Sequence, residues 1–87
     1  MPYITPEDRQ KYNKLLIDLL NQLDRNDWNP GHFNYCVTRL LLSWFTLNQS
    51  YKTANEIVGV LECIKQEFYR RHIAYYENRK IKENGDI

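Results

Sequence analysis

The sequence predicts an all-α protein: a three-helix antiparallel bundle, with a short fourth C-terminal helix or tail. Three observations carry this. Apolar residues recur at three-and-four spacing over most of the chain, the mark of amphipathic helices. Three Gly and three Pro leave little material for a turn-rich all-β fold. At 87 residues the chain is expected to form one domain, residues 1–87.

Thr5-Pro6-Glu7-Asp8 opens the first helix. Thr5 is placed to cap, Pro6 suits the first helical position, and two carboxylates meet the positive end of the dipole. Tyr12, Leu15, Leu16, Leu19, Leu20 and Leu23 then form one stripe opposite Lys11, Lys14 and Asp18, so the helix ends near Leu23 or Asp24. Asn29-Pro30-Gly31 reads as a turn, and Trp28 is expected to fold back as a lid on the core.

The second helix, roughly residues 33 to 47, is apolar on most sides, with Phe33, Val37, Leu40, Leu42, Trp44 and Leu47 among its residues. Such a helix belongs at the centre of a bundle or in an oligomer interface. After Asn48-Gln49-Ser50, Thr53-Ala54-Asn55-Glu56 fits a capping box with Thr53 as cap. Ile57, Val60, Leu61, Ile64, Phe68 and Tyr75 hold one face of the third helix. A single helix from here toward the C-terminus would be about 45 Å long at ~1.5 Å per residue, so a break is expected near residues 74 to 77. Should it continue, Asn84-Gly85 is a suitable C-cap.

Composition narrows the function. Twelve Lys+Arg against eleven Asp+Glu give a net charge of +1, which disfavours a polycation, an acidic tail or a polybasic membrane anchor. Cys36 and Cys63 form no C-x-x-C pair and are expected to be reduced core residues in a cytoplasmic protein. Met1-Pro2-Tyr3-Ile4 has no signal-peptide pattern, and the apolar run from 36 to 47 is too short to span a bilayer. No cofactor, metal or membrane partner is expected, and nucleic acid is disfavoured because the charge is too balanced for strong counterion release.

Three groups could carry a ligand. Asn55, Gly59, Glu62, Gln66 and Arg70 share the polar face of the third helix. They are either a solvated face with i to i+4 pairs, Glu67 with Arg71 and Gln66 with Arg70, or a ligand face. Gly59 costs up to ~1 kcal/mol relative to Ala inside a helix, which suits a close approach by another helix or a flat ligand. Around Tyr69, Arg70, Arg71 and Tyr76 the residues 69–82 carry five Lys+Arg and one acid. This run suits a phosphorylated, base-bearing ligand, or else simply complements the helix dipole. Asn34, Tyr35, Thr38 and Arg39 interrupt the apolar second helix. A buried Arg39 would need Glu62, Glu67 or a ligand phosphate as partner. Catalytic groups are sparse: His32 and His72 stand 40 residues apart, and no carboxylate cluster at three-and-four spacing is present to hold Mg²⁺.

The runs Phe33-Asn34-Tyr35-Cys36-Val37-Thr38-Arg39-Leu40-Leu41, Asn55-Glu56-Ile57-Val58-Gly59-Val60-Leu61-Glu62-Cys63 and Glu67-Phe68-Tyr69-Arg70-Arg71 resemble a family of short proteins of unknown function found in bacteriophage and prophage genomes. The opening Met1-Pro2-Tyr3-Ile4 and the C-terminal segment from Tyr76 to Asp86 are similar too. The family pattern carries a proline where this chain has Tyr75, which would support a break there. The resemblance implies a small host-cytoplasmic binder rather than a particular activity.

The first expectation is therefore an oligomeric binder that sequesters a phosphorylated small ligand, such as a nucleotide second messenger used in host defence, through Asn34, Tyr35, Thr38, Arg39, Asn55, Glu62, Gln66, Tyr69, Arg70, Arg71 and Tyr76. The alternative is an adaptor or inhibitor that docks on a host or phage protein. An Mg²⁺-dependent nucleotide hydrolase relying on Glu62 or Glu67 comes third, and the chain is not expected to be an enzyme. A homodimer or larger oligomer is expected because two neighbours cannot cover the second helix, with Gly59 where backbones come close.

Overall fold

A computed structural model describes residues 3–87; Met1 and Pro2, part of the opening motif, lie outside the described residues. Every regular element among the described residues is helical: α1 (Pro6–Arg25), α2 (Pro30–Leu47), α3 (Tyr51–Phe68), a π turn (Tyr69–Ile73) and α4 (Ala74–Asn84). The all-α class is as the sequence predicts. The last three elements run on as one helix of 34 residues. The chain divides into two compact units, Met1–Leu40 and Leu41–Ile87, each described by itself; the boundary falls inside α2.

In the first unit α1 begins as the sequence indicates. The Asp8 amide donates to Thr5 Oγ1 at 3.2 Å, and Pro6 occupies the first turn. At its other end the amides of Asn26 and Trp28 both reach Leu23 O, at 3.1 and 3.0 Å, closing a carbonyl that the helix leaves open. Asp27 and Trp28 reach this geometry with φ of 54° and 53°, the left-handed region. The Trp28 indole N–H donates to Asp24 Oδ1 while the residue stays exposed. It pins the end of α1 rather than lidding a core. Asn29-Pro30-Gly31 is also a helix start rather than a separate turn. Asn29 Oδ1 accepts from the Gly31 amide at 2.8 Å, its carbonyl accepts from Phe33 N–H at 3.1 Å, and α2 begins at Pro30. Asn, Pro and Gly serve a cap as well as a turn.

In the second unit Ser50, not Thr53, caps α3: its extended backbone places Oγ 3.1 Å from the Thr53 amide. Thr53 is itself buried, and its hydroxyl accepts from Ser50 Oγ–H at 3.1 Å. Ser50→Ala removes both contacts and is expected to cost about 1 kcal/mol in chemical denaturation, whereas Glu56→Ala should be near neutral.

The expected break at residues 74 to 77 is replaced by the π turn, where the Ala74 amide donates to Tyr69 O, five residues back. The helix continues to Asn84 and ends at Gly85, whose φ of 86° suits a residue without Cβ and whose amide reaches Ile81 O at 2.8 Å.

Among the described residues only Leu23, Thr53 and Ile57 are buried. Cys36 is half-buried and Cys63 exposed, both as free thiols, so Cys63 is not the core residue the pattern suggests. None of the α2 residues is buried although the helix is apolar on most sides; Leu40 is 67% and Leu47 84% exposed. No helix among the described residues is long and apolar enough to cross a membrane.

Candidate functional site

Helical spacing arranges the polar residues of α2 as two parallel i, i+4 pairs. Thr38 Oγ1–H donates to Asn34 Oδ1 at 3.0 Å, and Arg39 Nη1–H donates to Tyr35 Oη at 2.9 Å. The Arg39 guanidinium also lies 5.8 Å from the Tyr35 ring centroid, a cation–π distance. Arg39 is exposed, so the premise of a buried charge demanding a carboxylate does not hold. Beside this set, the end of α1 and the start of α2 enclose a hollow of about 240 Å³ lined by Leu23, Gln22, Asn26, His32, Tyr35 and Cys36, among others. From the sequence, His32 is weighed only with His72 as a catalytic group, and no site role is assigned to Gln22 or Asn26. The i, i+4 spacing of His32 and Cys36 was the available signal that they share a helix face.

On the long helix, Glu62, Lys65, Gln66, Tyr69 and Arg70 line a shallow hollow of about 390 Å³. Three of its groups are engaged with one another, and Arg70 and Tyr69 bond to residues outside it. Gln66 Nε2–H donates to Glu62 Oε1 at 3.1 Å, and Lys65 Nζ stands 3.1 Å from the same carboxylate. Gln66 thus turns back to Glu62 rather than forward to Arg70. The hydrogen bond from the Gln66 amide first, then that from Lys65, holds the Glu62 carboxyl below its ordinary value. Arg70 Nη2 lies 2.8 Å from Glu67 Oε1, and Arg71 Nη1 lies 3.9 Å from the same oxygen. The expected Glu67–Arg71 pair is present.

Four of the predicted ligand residues therefore converge: Glu62, Gln66, Tyr69 and Arg70. Asn55, on the same face, and Arg71 and Tyr76 do not line that hollow. Tyr76 instead meets Arg79 and Lys80, each with its charge 5.7 Å from the ring centroid. Asn34, Tyr35, Thr38 and Arg39 belong to the first unit and form their own group. The space where a Cβ would stand at Gly59 is open to 4 Å, so no neighbour among the described residues accounts for that glycine. No group of three or more His, Cys, Asp or Glu among the described residues is placed to hold a metal.

The π turn gives Tyr69 a partner that plain helical spacing would not. Its hydroxyl donates to Glu77 Oε1, eight residues on. Ionising Tyr69 would break that bond and set two negative charges together, so its phenol is held above the ordinary value of 10.0. The raised value means that the contact contributes fully below pH 10 and is lost as pH rises through Tyr69's own pKa. NMR titration of the Tyr69 ring carbons should find it ionising late, and Glu77→Ala should bring its ionisation to lower pH.

A family model described as a domain of unknown function (DUF6899) matches residues 1–87. The chain belongs to that family. The DUF6899 match spans both compact units and every candidate group described above. No curated protein and no solved structure matches the chain.

Proposed function

We propose that this DUF6899 protein acts by binding rather than turnover, and that its binding is docking: protein surfaces complete its exposed apolar helix faces. One observation supports this above others. α2 is apolar on most sides and has no buried residue. Contiguous exposed apolar surface on a folded protein marks an interaction site. The phage and prophage proteins that the motifs resemble supply a setting, a small protein in the host cytoplasm that engages another protein. Reduced Cys36 and Cys63 suit that compartment.

Tagged protein passed through host lysate tests the reading. It should retain one stoichiometric species, another protein or a further copy of itself, and lose it with Leu42→Glu and Leu47→Glu. A chain that captures nothing and does not self-associate contradicts it.

A second reading is favoured by the Glu62, Gln66, Tyr69 and Arg70 hollow with Arg71 beside it: sequestration of a phosphorylated small ligand such as a nucleotide second messenger. Guanidinium groups clamp phosphate oxygens and phenol rings stack on bases. Calorimetry against cyclic and linear nucleotides separates the two. Micromolar binding weakened tenfold or more by Arg70→Ala supports sequestration, and no heat at tens of micromolar rejects it.

A further inference from the structure

We propose that the long helix, residues 51–84, pairs antiparallel with the same helix of a second copy of this chain. This rests on the docking reading and names its partner. Ile57, Leu61, Ile64 and Phe68 alternate spacings of four, three and four, the pattern that keeps one stripe facing a partner helix. Unbroken α-helix would next bring Arg71 into that stripe. The π turn prevents this: its ladder reaches back five residues instead of four, so the following positions fall one residue later, at His72 and Tyr76. The Phe68 and His72 rings lie 5.4 Å apart, as residues on one stripe should. An apolar and aromatic seam thereby runs past the point where the sequence would have interrupted it with a cation.

Little in its own unit covers this seam. α2 contributes only Leu41–Leu47 there, a segment of about 10 Å, and burial on α3 stops at Thr53 and Ile57. Ile64 and Phe68 are 56% and 57% exposed. Phe68, Tyr76 and Ile64 are each about half exposed, so with Val60 and Leu61 they supply roughly half of the ~800 Å² per partner that a specific interface buries, and the polar side chains flanking the seam supply the rest.

Charge selects a second copy and its direction. Residues 51–67 carry Glu56, Glu62 and Glu67 against Lys52 and Lys65, while residues 68–84 carry Arg70, Arg71, Arg79, Lys80 and Lys82 against Glu77 and Glu83. Antiparallel pairing sets the acidic half of each helix beside the basic half of the other and opposes the two dipoles; parallel pairing would stack basic on basic. Gly59 sits about 200° around the helix from Ile57, which places it on the outer polar face instead of in the seam.

Light scattering of the full chain at tens of micromolar should give twice 10.6 kDa. Ile64→Glu should reduce this to the monomer mass while circular dichroism stays helical, and Gly59→Ala should leave the dimer intact. Spin labels on Lys82→Cys, with Cys36→Ser and Cys63→Ser, should lie roughly 50 Å apart if the helices run antiparallel. A separation under about 25 Å overturns the direction. A monomer mass for the native chain, or a dimer undisturbed by Ile64→Glu, overturns the pairing. A monomer that still captures one lysate protein leaves the docking reading standing without it.

Discussion

Ile57→Ala is expected to destabilise the second unit by about 2–4 kcal/mol, among the largest single losses available to this chain. The buried set is small: Leu23 in the first unit, Thr53 and Ile57 in the second. Ile57 is 7% exposed, so removing its outer carbons leaves a cavity beside the first turns of α3, where Ser50 and Thr53 also close on one another. A folded domain is stable by only about 5–15 kcal/mol, so this loss is a large share. Val58→Ala one residue on, at an exposed position, is the control and should change stability by less than about 0.5 kcal/mol. Urea denaturation followed by circular dichroism checks both. Equal effects at the two positions would mean that Ile57 has no special packing role.

The second large effect concerns helix continuity. Tyr75→Pro removes an amide from the ladder and sets a ring against the preceding turn, at a cost of about 3 kcal/mol in a helix interior. Tyr75 is the second residue of α4, directly after the π turn. The substitution should melt most of the 11 residues of α4, lowering the far-UV helical signal by that share. It should also separate Tyr69 from Glu77, so that Tyr69 no longer titrates late. A chain that broke at residues 74 to 77 would instead tolerate proline there with its helical signal unchanged.

The parts of the fold legible in the sequence are those where several local preferences agree. Thr5, Pro6 and two carboxylates all point to one helix start, and α1 begins there. Asn29, Pro30 and Gly31 satisfy turn chemistry and cap chemistry equally, so the residues alone do not place the start of α2. Ser50 and Thr53 both offer hydroxyls in the right neighbourhood. The choice falls to the residue whose backbone is extended, and that is Ser50, with φ −141° and ψ 161°. The π turn left no mark in composition, being a slip of one residue in a hydrogen-bond ladder. It turns Tyr69 toward Glu77 and carries the apolar stripe to His72.

For the candidate site, spacing alone found the Glu67–Arg71 pair, because i, i+4 residues on a helix are neighbours wherever the helix sits, and it grouped Asn34, Tyr35, Thr38 and Arg39 without the Asn34–Thr38 and Tyr35–Arg39 bonds that join them. Spacing could not tell whether anything covers an apolar face. Apolar sequence neighbours suggest a buried Arg39, yet α2 has no buried residue.

The central claim is that other protein covers the apolar faces of α2 and of the long helix. Amide hydrogen exchange read by mass spectrometry over residues 40–47 and 57–76, at two protein concentrations, tests it most directly. Covered faces hold their helices against local opening, so exchange should slow at least tenfold between low and high micromolar protein, in these segments more than in α1. Exchange that is fast and independent of concentration in both segments, with no change when a captured partner is added, would contradict the account.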